Sequence, residues 1–262
     1  FYGQYRRSDS YFSNSELASR GKPSRREIEI LAPSRDQLPA EVLIKAYRPP
    51  ETDGSGYNRE NLQKASQLLD EAGWLIKNRK RINTATGQEF KFEILLEDSG
   101  FERVVLPFKK NLARLGIETF IRLVDTSQYI NRIRNFDYDM IVETFRQSLS
   151  PGNEQRNYWH SASAEIPGSG NLIGIKNPAI DALVDLVISA PNRLELIQRT
   201  RALDRALLWG HYVIPHWYVG YFRVAYWNKF ERPQIAPPYA LGLFNWWIDT
   251  DKEKQIMKYL SR

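Results

Sequence analysis

The chain has 262 residues, 42% of them hydrophobic and 26% charged, with a net charge of +6 and no cysteine. That composition is ordinary for a globular protein and excludes disulfides, thiolate nucleophiles and thiolate metal sites. The basic residues are interspersed with acidic ones, no apolar run reaches the ~20 residues that span a bilayer, and the single dense cluster, "KNRKR" at Lys77–Arg81, reads as a solvated turn rather than a nucleic-acid surface.

The opening stretch "FYGQYRRSDSYF" has neither an initiator Met nor the basic, apolar and small-residue regions of a leader peptide. It reads as the interior of a longer protein, with any export signal upstream of Phe1. Ser24 and Glu27 have capping-box spacing ahead of a short helix that Pro33 and Pro39 stop. "PPETDGSG", Pro49–Gly56, is the clearest linker. A helix comes next, with Asn58 as its expected cap, Leu62, Ala65, Leu69 and Ala72 on one face, and Gly73 in a left-handed closing position.

"EFKFEILLE" then alternates Phe90, Phe92, Ile94 and Leu96 as a strand buried on one face. The run Phe101–Leu115 is helical in spacing, with Pro107 predicting a kink or a start later than Phe101. "IETFIRLVD" is a second strand, a helix begins near Asp125, and "YDMIVETF" is a third strand. Strand, helix, strand, helix, strand over so short a distance predicts parallel pairing, an α/β unit between Glu89 and Phe145 covered by helices. Ligands of such sheets sit beyond the carboxyl ends of the strands.

The loop "SLSPGNEQRNYWHS", Ser148–Ser161, leaves that end. Asn153, Glu154, Gln155 and Arg156, with Phe145, Tyr158 and Trp159 nearby, offer the placed polar groups and flat apolar walls of a small-ligand pocket. The same residues also suit an ordinary surface loop anchored by Tyr158 and Trp159. Beyond the loop, Asn177 and Pro178 open one helix and "NRLELIQRTRALDRALLWG" forms another, both scaffold. "HYVIPHWYVG" and "FRVAYWNKF" read as β segments, with Pro215 at an edge or bulge.

Catalytic motifs are weak. No G-x-S-x-G elbow is present, and Gly168, Gly170 and Gly174 miss the dinucleotide spacing. His211 and His216, if extended, point to opposite faces and make no metal pair; His160 reads equally well as structural. Neither a cofactor nor a metal is expected.

Taken together, "RSDSYFSNSELASRGKPS", "PPETDGSGYNRENLQKASQLLDEAGW", "SPGNEQRNYW", "GSGNLIGIKNPAIDAL" and "RALDRALLWGHYVIPHWY" resemble the C-terminal half of family 5 extracellular solute-binding proteins, most closely the YejA-like peptide-binding subgroup. The resemblance covers essentially the whole chain. It implies the C-terminal lobe of a two-lobed periplasmic-binding-protein fold, with a small mixed sheet covered by helices. Residues 58–210 would form the second lobe, 1–57 a connecting segment toward the hinge and first lobe, and 211–262 the return to the first lobe.

The implied function is that of a non-enzymatic periplasmic receptor capturing oligopeptides for inner-membrane ABC permease subunits. A metal chelate, an opine, an oligosaccharide or a hydrolase role are the alternatives. Nucleic acid is not an expected partner, and the missing N-terminal lobe of the same protein is. In many oligopeptide receptors of the wider family, an Asp in a W-x-x-D pattern pairs with the ligand amino terminus. Here the pattern is "FRQS", which puts Phe145 at the aromatic and Ser148 at the acid. Glu154 is preferred as the replacement acid, ahead of Glu143. Gln147 and Asn171 are expected to bind ligand backbone, and Phe145 and Trp159 to wall the site.

Overall fold

The computed structural model describes residues 3–260; residues 1, 2, 261 and 262 of the first and last expected segments lie outside that range. The chain begins with β1 (Arg6–Arg7), then an irregular stretch and α1 (Arg25–Leu31). The capping box is formed: Ser24 Oγ accepts from Glu27 N, and the Glu27 carboxylate accepts from Ser24 N. The α-helix ends at Leu31, ahead of Pro33 as expected, and Pro33 sits early in the 3₁₀ turn that follows, Ala32–Gln37, where its missing N–H costs nothing. A short α2 (Glu41–Ile44) precedes the exposed linker.

In α3 (Arg59–Glu71) the expected cap is not made. Asn58 Oδ1 accepts instead from the Asn61 side chain, at 2.8 Å. Gly73 does take the left-handed conformation, φ +81°. Next comes a hairpin that the sequence pattern did not predict, β2 (Trp74–Lys77) and β3 (Lys80–Asn83). Asn78 and Arg79 join it with positive φ, 51° and 66°, as the two-residue turn matching strand twist requires. "KNRKR" is therefore a turn at its centre, but its last residue, Arg81, is fully buried.

The sheet unit matches the expectation closely. It runs β4 (Lys91–Leu96), α4 (Glu102–Arg114), β5 (Glu118–Leu123), α5 (Thr126–Arg134) and β6 (Met140–Ile141). Strand order is β5-β4-β6, and both pairings are parallel. Pro107 lies inside α4, which begins after Phe101. Asp125 caps α5 by accepting from Gln128 N. β6 is shorter than "YDMIVETF" suggested because the backbone turns to side chains: Val142 O accepts from Tyr129 Oη, and Thr144 N donates to Glu143 Oε1.

The stretch expected as one long loop contains a helix, α6 (Glu154–Trp159). Pro151, Gly152 and Asn153 precede it, and Glu154 in its first turn accepts from Gly152 N. Then α7 (Pro178–Ile188), capped by Asn177, packs on α8 (Arg193–Trp209), capped by Asn192. The predicted terminal β segments shrink to β7 (Trp217–Tyr218), antiparallel to β1, and β8 (Phe230–Glu231), paired with β9 (Trp247–Ile248). The chain closes with α9 (Thr250–Leu260). Apolar side chains in this last part remain out in solvent, Ile235 at 89% and Phe244 fully, so long strands there have no face to bury against.

Two apolar cores result. The larger joins α1, α6, α7 and α8 through Leu31, Trp159, Ile180, Leu183, Leu203 and Leu207. The smaller lies under the sheet, around Ile94, Leu96 and Val105. Ile30, Leu31 and Val42, read from sequence as part of a connecting segment, belong to the larger core with α7 and α8.

Candidate ligand-binding groove

A cavity of about 1390 Å³ opens where the carboxyl end of β6 meets the irregular segment Ser8–Asn14 and the segment His211–Tyr218, which ends in β7. It exceeds the roughly 300–1,000 Å³ of drug-sized sites. Its walls are aromatic: Phe101 stacks with Trp217 (centroids 6.1 Å) and with His216 (6.0 Å), while Tyr11 meets Phe145 at 6.3 Å.

The charged lining is one-sided. Asp139, Glu143 and Glu165 reach the cavity, and no Lys or Arg does among the described residues. Glu165 is paired with Lys176, and Asp139 Oδ2 accepts from Glu93 N at 2.8 Å. Glu143 meets no cation among the described residues; its one bond is to the following N–H, Thr144, at 2.6 Å. Two phenols frame it. Burial first, and then the Glu143 carboxylate, push both Tyr129 and Tyr138 up to about 12. They stay protonated and donate, Tyr129 to Val142 O and Tyr138 to Leu172 O, which holds the strand end in place.

The Ser8–Asn14 wall is tied down from behind by α8. Asp204, fully buried, accepts from Ser10 Oγ (2.8 Å), Tyr11 N (2.9 Å), Ser19 N (2.8 Å) and Ser19 Oγ (2.6 Å). Burial outweighs those four bonds and pushes its carboxyl up to about 6. Its neighbour Arg205, also buried, pairs with Glu27 at 2.7 Å and donates to Gly21 O and Arg20 O. Adjacent polar residues of one helix thus fix residues 10–27, and with them the position of Tyr11.

Of the residues expected at the site, Phe145 and Gln147 line the cavity; Ser148, Asn153, Glu154, Trp159 and Asn171 do not. Glu154 faces its own helix start, accepting from Gly152 N and from Gln155 Nε2, whereas Glu143 lines the cavity. Ser148 Oγ accepts from Ser150 N in a local turn. Asn153 sits at the start of α6 with no capping bond from its side chain.

Trp159 has no exposed surface and packs behind Phe145, centroids 4.7 Å apart, as support for the wall. Asn171 is likewise fully buried; its amide donates to Ile175 O and His160 O and accepts from Ile175 N, which exhausts it on the loop. His211 and His216 both line the cavity, contrary to the opposite faces expected of a strand, because His211 adopts φ +51° and the segment is not extended. Burial holds the His216 imidazole below its usual value. His160 caps a turn through Nδ1. Among the described residues no cluster of three or more His, Asp or Glu is placed to hold a metal ion.

Sequence reasoning missed Tyr11 and the His211–Tyr218 wall. Neither lies on a periodic element. The only signal was the density of aromatics in each stretch.

The parallel sheet and helical body agree with the likeness of this chain to known proteins. Residues 32–166 match the bacterial extracellular solute-binding proteins, family 5 Middle, and the chain belongs to that family. It is 48% identical over 247 residues to the probable peptide-binding protein YejA of Agrobacterium fabrum (strain C58), covering 94% of this chain and 40% of that protein. It is 42% identical over 257 residues to the uncharacterized protein YejA of Escherichia coli (strain K12), covering 98% of this chain and 42% of that one. The chain thus spans about two-fifths of the length of these relatives, matching the expected fragment of a longer protein. Its fold is similar to that of the oligopeptide-binding protein AppA from Bacillus subtilis, solved with a nonapeptide: TM-score 0.54, 19% identity, 87% of this chain and 50% of that one. No helix among the described residues is long and apolar enough to cross a membrane.

Proposed function

We propose that this chain supplies one lobe of a periplasmic receptor that captures oligopeptides and delivers them to the inner-membrane permease of an ABC importer. The observation that carries the reading is the groove at the carboxyl end of β6: large, aromatic, acidic and free of Lys or Arg among the described residues. Such a lining suits a ligand with an ammonium and a neutral backbone. An ammonium taken out of water needs a charged partner, since the effective penalty is several kcal/mol per ion. Of the two lining acids that meet no cation among the described residues, Asp139 and Glu143, this reading takes Glu143, just beyond the carboxyl end of β6, and Phe101, Phe145 and Trp217 supply apolar wall.

The remaining part of the longer protein would supply the opposing lobe. In this reading residues 58–210 are the body of the second lobe, 211–262 return toward the first, and residues 10–44 travel with the second lobe because Asp204, Arg205 and the larger core hold them. Lobe closure about the hinge sequesters the peptide and reports occupancy to the permease. No covalent step is required. The direct test is mass spectrometry of ligand released from the full-length protein: intact peptides are expected, whereas cleaved products would indicate a hydrolase and no released solute a scaffold.

A further inference from the structure

Two buried polar atoms of residues lining the groove, Tyr11 Oη and Gln147 Nε2, have no hydrogen-bond partner among the described residues. A buried group left in that state costs about 1–3 kcal/mol, and because both side chains line the groove while these atoms are covered, a rotation toward the cavity would relieve that cost and present each donor to a ligand. Phe145 sits beside Tyr11, and the Trp159 ring packs on both, centroids 5.1 Å from Tyr11 and 4.7 Å from Phe145.

The polarity of Gln147 is fixed from the interior. Trp159 Nε1 can only donate, and it meets Gln155 at 2.9 Å, so that atom of Gln155 is its oxygen. Gln155 therefore turns its nitrogen the other way, to Gln147 Oε1 at 2.7 Å and to the Glu154 carboxylate at 3.3 Å. Both contacts are acceptors, so the two ends of the relay agree. Gln147 is left with its oxygen engaged and its NH₂ unpaired.

We propose that Gln147 Nε2 and Tyr11 Oη, turned toward the groove, form a subsite that donates to neutral carbonyl oxygens of the bound peptide. A carbonyl is favoured over a carboxylate because the charged groups lining the groove are Asp139, Glu143 and Glu165, with no cation to offset a further anion. Burial and the nearby Asp204 carboxylate hold the Tyr11 phenol above its usual range, which keeps the hydroxyl a donor. The inference rests on the peptide-receptor reading.

The test uses the full-length protein and a synthetic tripeptide library, each member offered with a free carboxylate or a carboxamide end. Retained peptides are quantified by mass spectrometry and thermal unfolding is followed in parallel. Tyr11→Phe is expected to weaken retention about three- to tenfold, the worth of one neutral hydrogen bond, with Tm unchanged or raised because no bond within the chain is lost. Gln147→Glu keeps an acceptor for Gln155 but removes the donor, and Gln147→Met removes the donor without adding charge; both are expected to weaken retention by at least that factor. Gln147→Glu retaining peptides as the parent does would make Gln147 a purely structural link and overturn the subsite. Losses confined to peptides with a free carboxylate would overturn the carbonyl assignment. Failure of the parent itself to retain any tripeptide would overturn the receptor reading and the subsite with it.

Discussion

Two arginines are buried among the described residues, one in the helical body and one in the β2–β3 hairpin, and their partners differ. Arg205, in the helical body, is 1% exposed and its acid, Glu27, is 3% exposed. Arg81, in β3 beside the sheet unit, has no exposed side-chain surface, but its acid, Asp70, is 48% exposed. Arg81 also donates to Leu115 O (2.7 Å), to Trp74 O (2.8 Å) and to the Ser66 hydroxyl. Each arginine donates to two backbone carbonyls, so the difference lies in the acid, dry for Arg205 and wet for Arg81. The helical body is thus a rigid back wall that pins residues 10–27. The sheet unit is lightly packed and places its useful groups at a strand end.

This difference is open to breakage. Glu27→Gln should cost about 3–5 kcal/mol in urea unfolding, because it strands Arg205 in the interior, although Gln still serves the capping box of α1. A loss near zero would show that the pair contributes little. Asp204→Asn should cost about 1–3 kcal/mol at pH 7, since one carbonyl oxygen cannot serve four donors.

The same substitution carries a pH signature. The folded pKa of Asp204, about 6, lies above the ordinary 3.8, so the fold favours the protonated form. Its contribution is full below pH 3.8 and lost as pH rises through about 6. The stability gap between parent and Asp204→Asn should therefore be widest near pH 4 and narrow toward pH 7.5. A gap that widens with pH would mean that the carboxylate is stabilised by its bonds more than burial opposes it. Asp70→Asn should be the mildest, below about 1 kcal/mol, as befits an exposed partner. A loss as large as that of Glu27→Gln would erase the distinction between the two arginines.

The sequence made the sheet unit legible because alternation at Phe90–Leu96 and caps such as Asp125 and Asn177 are local signals that tertiary structure did not override. It did not show the β2–β3 hairpin, whose turn uses Asn78 and Arg79 in the left-handed region without a glycine. Nor did it show Asp204 and Arg205, since an apolar period cannot reveal polar residues buried on partners more than 170 positions away.

The candidate site was legible in part. Phe145 and Gln147, a few residues past the strand, line the cavity, whereas Glu154 lies off it because Glu154–Trp159 coils into a helix whose first turn holds that carboxylate. Tyr11 was unreadable, being set by a long-range bond from its backbone to Asp204.

The central claim is that Glu143 marks the end of the groove where a peptide amine is held. Calorimetry on the full-length protein, with one retained peptide in free and N-acetylated form, tests it directly using Glu143→Gln and Glu154→Gln. Glu143→Gln should weaken the free-amine peptide at least about tenfold, the lower range for a charge-assisted bond, and leave the acetylated one unchanged, with Glu154→Gln near parent for both. Equal losses for the two peptides in Glu143→Gln, or a selective loss in Glu154→Gln instead, would contradict it.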